Sequence, residues 1–227
     1  MKILALDTAT EACSAALLID GEIRERFEIA PRAHARLLLP MLEDLLAEAG
    51  LKPAQLDAIA FGRGPGSFTG LRIAASVAQG IAFAADLPVL PVSTLAALAW
   101  PALRAARAEQ VFAAIDARMG EIYCAGFGLA AQGELLMLSE EQVTPAAVVC
   151  VPAGDAWYGV GSGWAVYAEV LRPHFGASLN GFDADALPHA SDIVRLAALD
   201  FSAGRAMPAE LALPVYLRNQ VVQRPAG

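Results

Sequence analysis

The stretch Asp57-Ala-Ile-Ala-Phe-Gly-Arg-Gly-Pro-Gly-Ser-Phe-Thr-Gly-Leu-Arg-Ile73 decides how this chain is built. An apolar strand runs into glycines at alternate positions, Gly62, Gly64 and Gly66, and then into a helix that Ser67 or Thr69 can cap. Glycines so spaced let the backbone approach something closely, and a helix start lined by them can seat an anion. The wording recurs: Phe61-Gly-Arg-Gly-Pro-Gly66 returns as Tyr158-Gly-Val-Gly-Ser-Gly163, again where a strand gives way to a helix. Neither copy is a nucleotide fingerprint. Ser67 and Trp164 stand where the dinucleotide pattern needs its third glycine, and no Gly-Lys-Ser/Thr occurs. Two tight turns without a ligand account for either loop alone equally well.

A second echo lies outside the loops. Ala5-Leu-Asp-Thr-Ala-Thr10 precedes the apolar run Cys13–Ile19, and Ala114-Ile-Asp-Ala-Arg-Met-Gly120 precedes Ile122–Phe127. Both read as a buried strand ending in Asp, a small turn and a second strand. Two copies are too few for a solenoid and fit two similar lobes across a cleft. The boundary falls near Arg104–Gln110, giving lobes 1–106 and 107–227, with the last segment free to return to the first.

The rest of the chain supplies the framework. Lys2–Leu6, Cys13–Ile19 and Glu22–Ile29 read as strands, with Asp20-Gly21 as a hairpin turn. Leu37, Leu38, Met41, Leu42, Leu45, Leu46 and Ala49 share one helical face that Gly50 ends; Pro40 predicts a kink there or a start near Leu37. Residues 69–85 form a helix apolar on nearly every side, which needs a neighbour on two faces or a central place in one core. Further strands are expected at 88–92, 111–116, 121–128, 134–138 and 156–160. Further helices are expected at 94–106, 144–149, 163–172 and 190–203, with an extended tail over 213–219 and a frayed end from Arg224.

Composition narrows the function. The 227 residues are 56% hydrophobic and only 18% charged, so apolar surface beyond an ordinary core is available for a partner. A formal charge of −8 with two lysines, Lys2 and Lys52, argues against gripping RNA or an anionic membrane unaided. Three cysteines without metal spacing point to a reducing, cytoplasmic setting, and the uncharged run Ile73–Ala85 is too short to span a bilayer. His34, His174 and His189 have no ligand partner at helical spacing, and Gly66-Ser67-Phe68 is not a nucleophile elbow. Asp7 and Asp116 either hold a cation on nucleotide phosphates or cap their own turns. A small-molecule kinase or ATPase is therefore the alternative function, with Asp7, Gly64, Gly66, Gly161 and Gly163 as candidate nucleotide contacts.

The strand–Asp–hairpin and glycine-loop order, given twice, resembles the actin-like ATPase (ASKHA) fold of sugar kinases and actin. More specifically, Leu6–Ser14, His34-Ala-Arg-Leu-Leu-Leu-Pro40, Phe61–Arg72, Pro91-Val-Ser-Thr94, Ala114–Glu121 and, more weakly, Gly159–Gly163 and Tyr216-Leu-Arg-Asn219 resemble the bacterial TsaB (YeaZ) family. The resemblance implies a non-catalytic cytoplasmic partner of TsaD. That enzyme attaches threonylcarbamoyl to N6 of the adenosine beside the anticodon, with TsaE in the complex and TsaC supplying threonylcarbamoyl-adenylate. It implies that ATP or ADP and a metal belong to those partners and that this chain requires no cofactor. Where TsaD carries a His-x-x-x-His metal pair, Thr94 and Leu98 stand here. The resemblance also places a docking surface on helices 34–49 and 69–85, toward TsaD or, in its absence, a second copy. The residues so assigned are His34, Leu38, Met41, Leu42, Leu45, Arg72, Ala75, Val77, Ala78, Gly80 and Ile81.

Overall fold

The computed structural model describes residues 1–105, 108–131 and 133–218. Strands β1 (Lys2–Asp7), β2 (Ala12–Ile19) and β3 (Glu22–Ile29) form an antiparallel meander whose second turn, at Asp20 and Gly21, has both residues at positive φ. Helix α1 (His34–Ala49) then leads to β4 (Ala58–Gly64), helix α2 (Phe68–Ala85) and β5 (Val89–Ser93). The first sheet runs β3-β2-β1-β4-β5, with β1, β4 and β5 parallel. β1 is apolar and buried on both faces, as a central strand must be, while the edge strand β3 carries Glu and Arg against wrong pairing.

Helix α3 (Thr94–Arg104) carries the chain to a second sheet built from β6 (Gln110–Arg118), β7 (Glu121–Leu129), β8 (Leu135–Met137), β9 (Gln142–Pro145), β10 (Trp157–Val160) and β11 (Leu179–Asp183). Its order, β11-β10-β6-β7-β8 with β9 also on β7, reproduces the pairing of the first sheet: an antiparallel pair joined to parallel neighbours. Helix α4 (Ser162–Phe175) follows β10, and α5 (Ala190–Ser202) comes last.

Three apolar clusters stack the layers. Leu4, Leu6 and Phe61 on one face of the first sheet meet Leu38, Leu42 and Leu45 of α1 and Ala74, Ala78 and Ala82 of α2. Between the sheets lie α3 and α5, burying Leu95, Leu98, Trp100, Ile193 and Val194 against Ala5, Ala60, Val111 and Phe127. Phe112, Trp157, Trp164 and Phe175 cluster edge-on beneath α4.

Several expectations are corrected. Pro40 neither delays nor ends α1, which starts at His34; the proline sits in the second turn on an exposed face, where the lost bond from its nitrogen is cheapest. Residues 144–149 are not an α-helix. Val143, Thr144 and Pro145 favour extension, giving β9 and a single 3-10 turn at Ala146–Val148. β11 escaped notice because Leu179-Asn-Gly-Phe-Asp183 is short, interrupted by glycine and half-covered at an edge. α3 is described to Arg104 and its cap at Ala105, whereas Ala106 and Arg107 within the expected boundary, and the tail from Asn219, lie outside the described residues. The run Ile73–Ala85 belongs to a longer helix: α2 has 18 residues and is, by length and composition alone, long enough to cross a membrane. Its small inner face packs on the first sheet, as in a core helix.

Candidate functional site

Both glycine loops press against the chain itself. A Cβ on Gly62 would lie 1.8 Å from Asp7 Oδ2, one on Gly66 2.4 Å from the Ala9 carbonyl oxygen and one on Gly70 1.9 Å from that of Thr8. The turn after β1 fills the space: Ser67 N–H donates to Ala9 O at 2.7 Å, and Thr8 Oγ1–H to Gly70 O at 2.7 Å. Ser67, rather than exposed Thr69, caps α2 through Gly70 N–H at 3.4 Å. Gly64, at φ 105°, lets Val215 O lie 3.0 Å from the position of its missing Cβ.

The second loop repeats the arrangement. Gly161 and Gly163 pack on Ala114 in the middle of β6, with a Cβ on Gly161 2.6 Å from Ala114 O, and Gly159 makes room for the Trp164 ring. Asp116 caps its own turn. Its Oδ1 accepts from Arg118 N–H at 2.8 Å and Tyr167 O–H at 3.1 Å, and Arg118 pairs with it at 3.0 Å.

Asp7 is wholly buried at the end of β1. Oδ1 accepts the Ala9 N–H at 3.0 Å, while Oδ2 has no hydrogen-bond partner. Burial pushes its pKa up to about 7, against the opposing pull of the Ala9 N–H and the His189 charge. Nearby, Glu25 ties the start of α5 to β3. It meets His189 Nδ1 at 3.1 Å and accepts Ser191 N–H at 2.9 Å. Burial works against the Glu25 carboxylate, but these bonds outweigh it and leave its pKa lowered; the same bond raises that of His189. Among the described residues no three His, Cys, Asp or Glu side chains gather where a metal could be held.

A groove of about 430 Å³ runs between α1 and α2, lined by Ala35, Leu38, Phe68, Thr69, Arg72, Ile73, Ser76 and Val77. Of the sequence-assigned contacts, Arg72 and Gly80 are exposed and Val77 and Ile81 half-buried. Leu38, Met41, Leu42, Leu45, Ala75 and Ala78 instead face inward and are buried in the chain's own core, and His34 is buried at the start of α1. The periodic stripe marked the face that meets the sheet, and outward contacts lie one helical face away. Leu39, Phe68 and Phe83 stand there, all well exposed. Leu39 and Phe68 could have been found as apolar positions off the main stripe. An Ala78→Glu change would bury a carboxylate against the sheet and is expected to unfold the chain, seen as loss of the cooperative thermal transition. Gly80 has nothing within 4 Å of a Cβ, so substitutions there project into open space.

The tail crosses the end of this face. Val215 N–H donates to Arg63 O at 2.8 Å, and Arg72 Nε–H to Tyr216 Oη at 3.1 Å. The Arg72 guanidinium lies 3.8 Å from the Phe68 ring centroid, and Arg218 pairs with Glu121 of the second sheet. Tyr216 is 144 residues from Arg72, and no local pattern announces that contact.

The geometry thus defines a two-sheet α/β protein whose strand-end loops are packed by the chain itself and whose α1–α2 pair carries an open groove. A family model described as TsaD, tRNA N6-adenosine threonylcarbamoyltransferase, matches residues 27–225. The chain is 43% identical to the tRNA threonylcarbamoyladenosine biosynthesis protein TsaB of Haemophilus influenzae, over 97% of this chain and 95% of the relative. It is 42% identical to TsaB of Escherichia coli, over 97% and 96% respectively. A solved structure described as YeaZ from Pseudomonas aeruginosa superposes with a TM-score of 0.88 at 50% identity, covering 95% of this chain and 99% of that one. The chain belongs to the TsaB (YeaZ) family.

Proposed function

We propose that this chain is a non-catalytic subunit that docks on TsaD and supports formation of the threonylcarbamoyl group on N6 of the adenosine next to the anticodon, in tRNAs reading codons that begin with A. Family membership supports the tRNA-modification role. The observation that carries the docking is the open groove between α1 and α2, lined by Phe68, with Leu39 and Phe83 also exposed on these two helices. Because a TsaD model matches 27–225 of this chain, TsaD itself is expected to present a comparable helix pair, so the two can meet about a pseudo-two-fold axis.

In this reading the architecture is the actin-like one, with lobes 1–106 and 107–227, and the chain works in the cytoplasm. TsaE joins the complex, TsaC delivers the adenylate, and ATP or ADP and metal are held by the partners. A second copy takes the groove when TsaD is absent. At about 25 cal/mol per Å², covering roughly 800 Å² on each side supplies the gross driving force, from which the cost of association is subtracted.

Gly80→Glu tests the docking face. The variant is expected to melt like the parent and to bind purified TsaD at least about 100-fold more weakly in calorimetry, since an unpaired carboxylate would have to be buried in the interface. Undiminished binding would remove this face from the reading.

A further inference from the structure

The groove is mostly apolar, with Thr69 and Ser76 among its lining, and Arg72 is the one charged residue among those described that lines it. Arg72 is exposed, its ring contact with Phe68 and its Nε–H bond to Tyr216 fix the plane of the guanidinium, and among the described residues no carboxylate pairs with it. The chain carries 24 acidic residues against 16 basic ones. Other arginines near the loops are committed: Arg63 to Glu141 at 2.9 Å, Arg118 to Asp116 and Arg218 to Glu121. The aromatic Phe68–Tyr216 pair, 5.3 Å between centroids, walls the guanidinium on the side of the tail. Among the described residues its two terminal nitrogens make no hydrogen bond and remain available as a fork.

Resting on the docking reading above, we propose that Arg72 is the anchor of that interface and takes an Asp or Glu carboxylate of the docked TsaD in a bidentate pair, with the tail residue Tyr216 holding the fork in position. Such a pair combines charge with two parallel hydrogen bonds, and Arg and Tyr are over-represented among residues that dominate interface energies. The rotamer is already fixed in the free chain, so little freedom remains to be lost on docking. The apolar walls of the groove favour a protein surface over the phosphates of an RNA.

The test is TsaD affinity by calorimetry for Arg72→Ala, Arg72→Lys and Tyr216→Phe, each checked for an unchanged thermal midpoint, beside Gly80→Glu. Arg72→Ala is expected to weaken binding about 30-fold, and Lys to recover little of it because a point charge neither stacks nor forks. Tyr216→Phe, which keeps the ring and loses the acceptor, should weaken binding about fivefold. Arg72→Ala within about twofold of the parent, with Gly80→Glu abolishing binding, leaves the docking face standing and overturns the anchor. Full rescue by Lys overturns the fork. TsaD binding unchanged in Arg72→Ala but tRNA retention lost would assign the guanidinium to a phosphate and overturn the carboxylate. If Gly80→Glu binds normally, both readings fall.

Discussion

Gly70→Ala is expected to cost about 4 kcal/mol or to prevent folding, while Gly80→Ala, in the same helix, should raise stability by roughly 0.5–1 kcal/mol. The added methyl on Gly70 meets the Thr8 carbonyl oxygen at 1.9 Å and its carbon at 3.0 Å, atoms of a backbone that cannot rotate away. Relieving the clash means lifting the start of α2 from the β1–β2 turn. That gives up the bond from Thr8 Oγ1 to Gly70 O and strains the Ser67 cap. Gly80 meets no such obstacle, so alanine there simply removes the entropic penalty of glycine in an exposed helix. Urea midpoints of the two variants decide it. A Gly70→Ala loss under about 1 kcal/mol would show that the turn and helix are not packed as described.

The second large effect is a pH dependence centred on Asp7. The carboxyl titrates near the ordinary aspartate value of 3.8 when unfolded and at about 7 when folded. Between those values the folded chain holds a proton that the unfolded chain has released, so stability falls as pH rises, by about 1.4 kcal/mol per unit. The full loss, about 4 kcal/mol, is reached just above neutrality, and the contribution is intact only below the unfolded pKa. Asp7→Asn removes the titration. The stability difference between the Asn variant and the parent should therefore shift by about 4 kcal/mol in favour of Asn between about pH 4 and pH 8. Glu25, with its lowered pKa, and His189, with its raised one, also change stability over part of this range. They are present in both proteins, so their own contributions cancel in the difference apart from the charge coupling between Asp7 and His189, which Asp7→Asn removes. A pH-independent difference would mean that Asp7 is solvated or paired in the folded chain.

The sequence made the strands legible because their apolar runs are bounded by Asp-Gly and glycine-loop punctuation, and the two Asp-ended strands do occupy matching places in two sheets of matching order. It misjudged the outward face of the helices. Periodicity reports which residues leave water without saying whether the sheet beneath or a partner beyond receives them. For Leu38, Leu42, Leu45 and Ala78 the sheet wins. The glycine loops were open to two readings on composition alone. Only the 1.8–2.4 Å approaches to Asp7, Thr8 and Ala9 show that the chain itself fills the space. The Arg72–Tyr216 contact was beyond reach because the tail returns across the whole fold to make it.

The central claim is that this chain promotes another subunit's chemistry by docking through its α1–α2 face. The most direct measurement is threonylcarbamoyladenosine formation on tRNA by TsaC, TsaD and TsaE, run with the chain, without it, and with Gly80→Glu. The account predicts modification only with the parent chain; equal modification in all three reactions would contradict it.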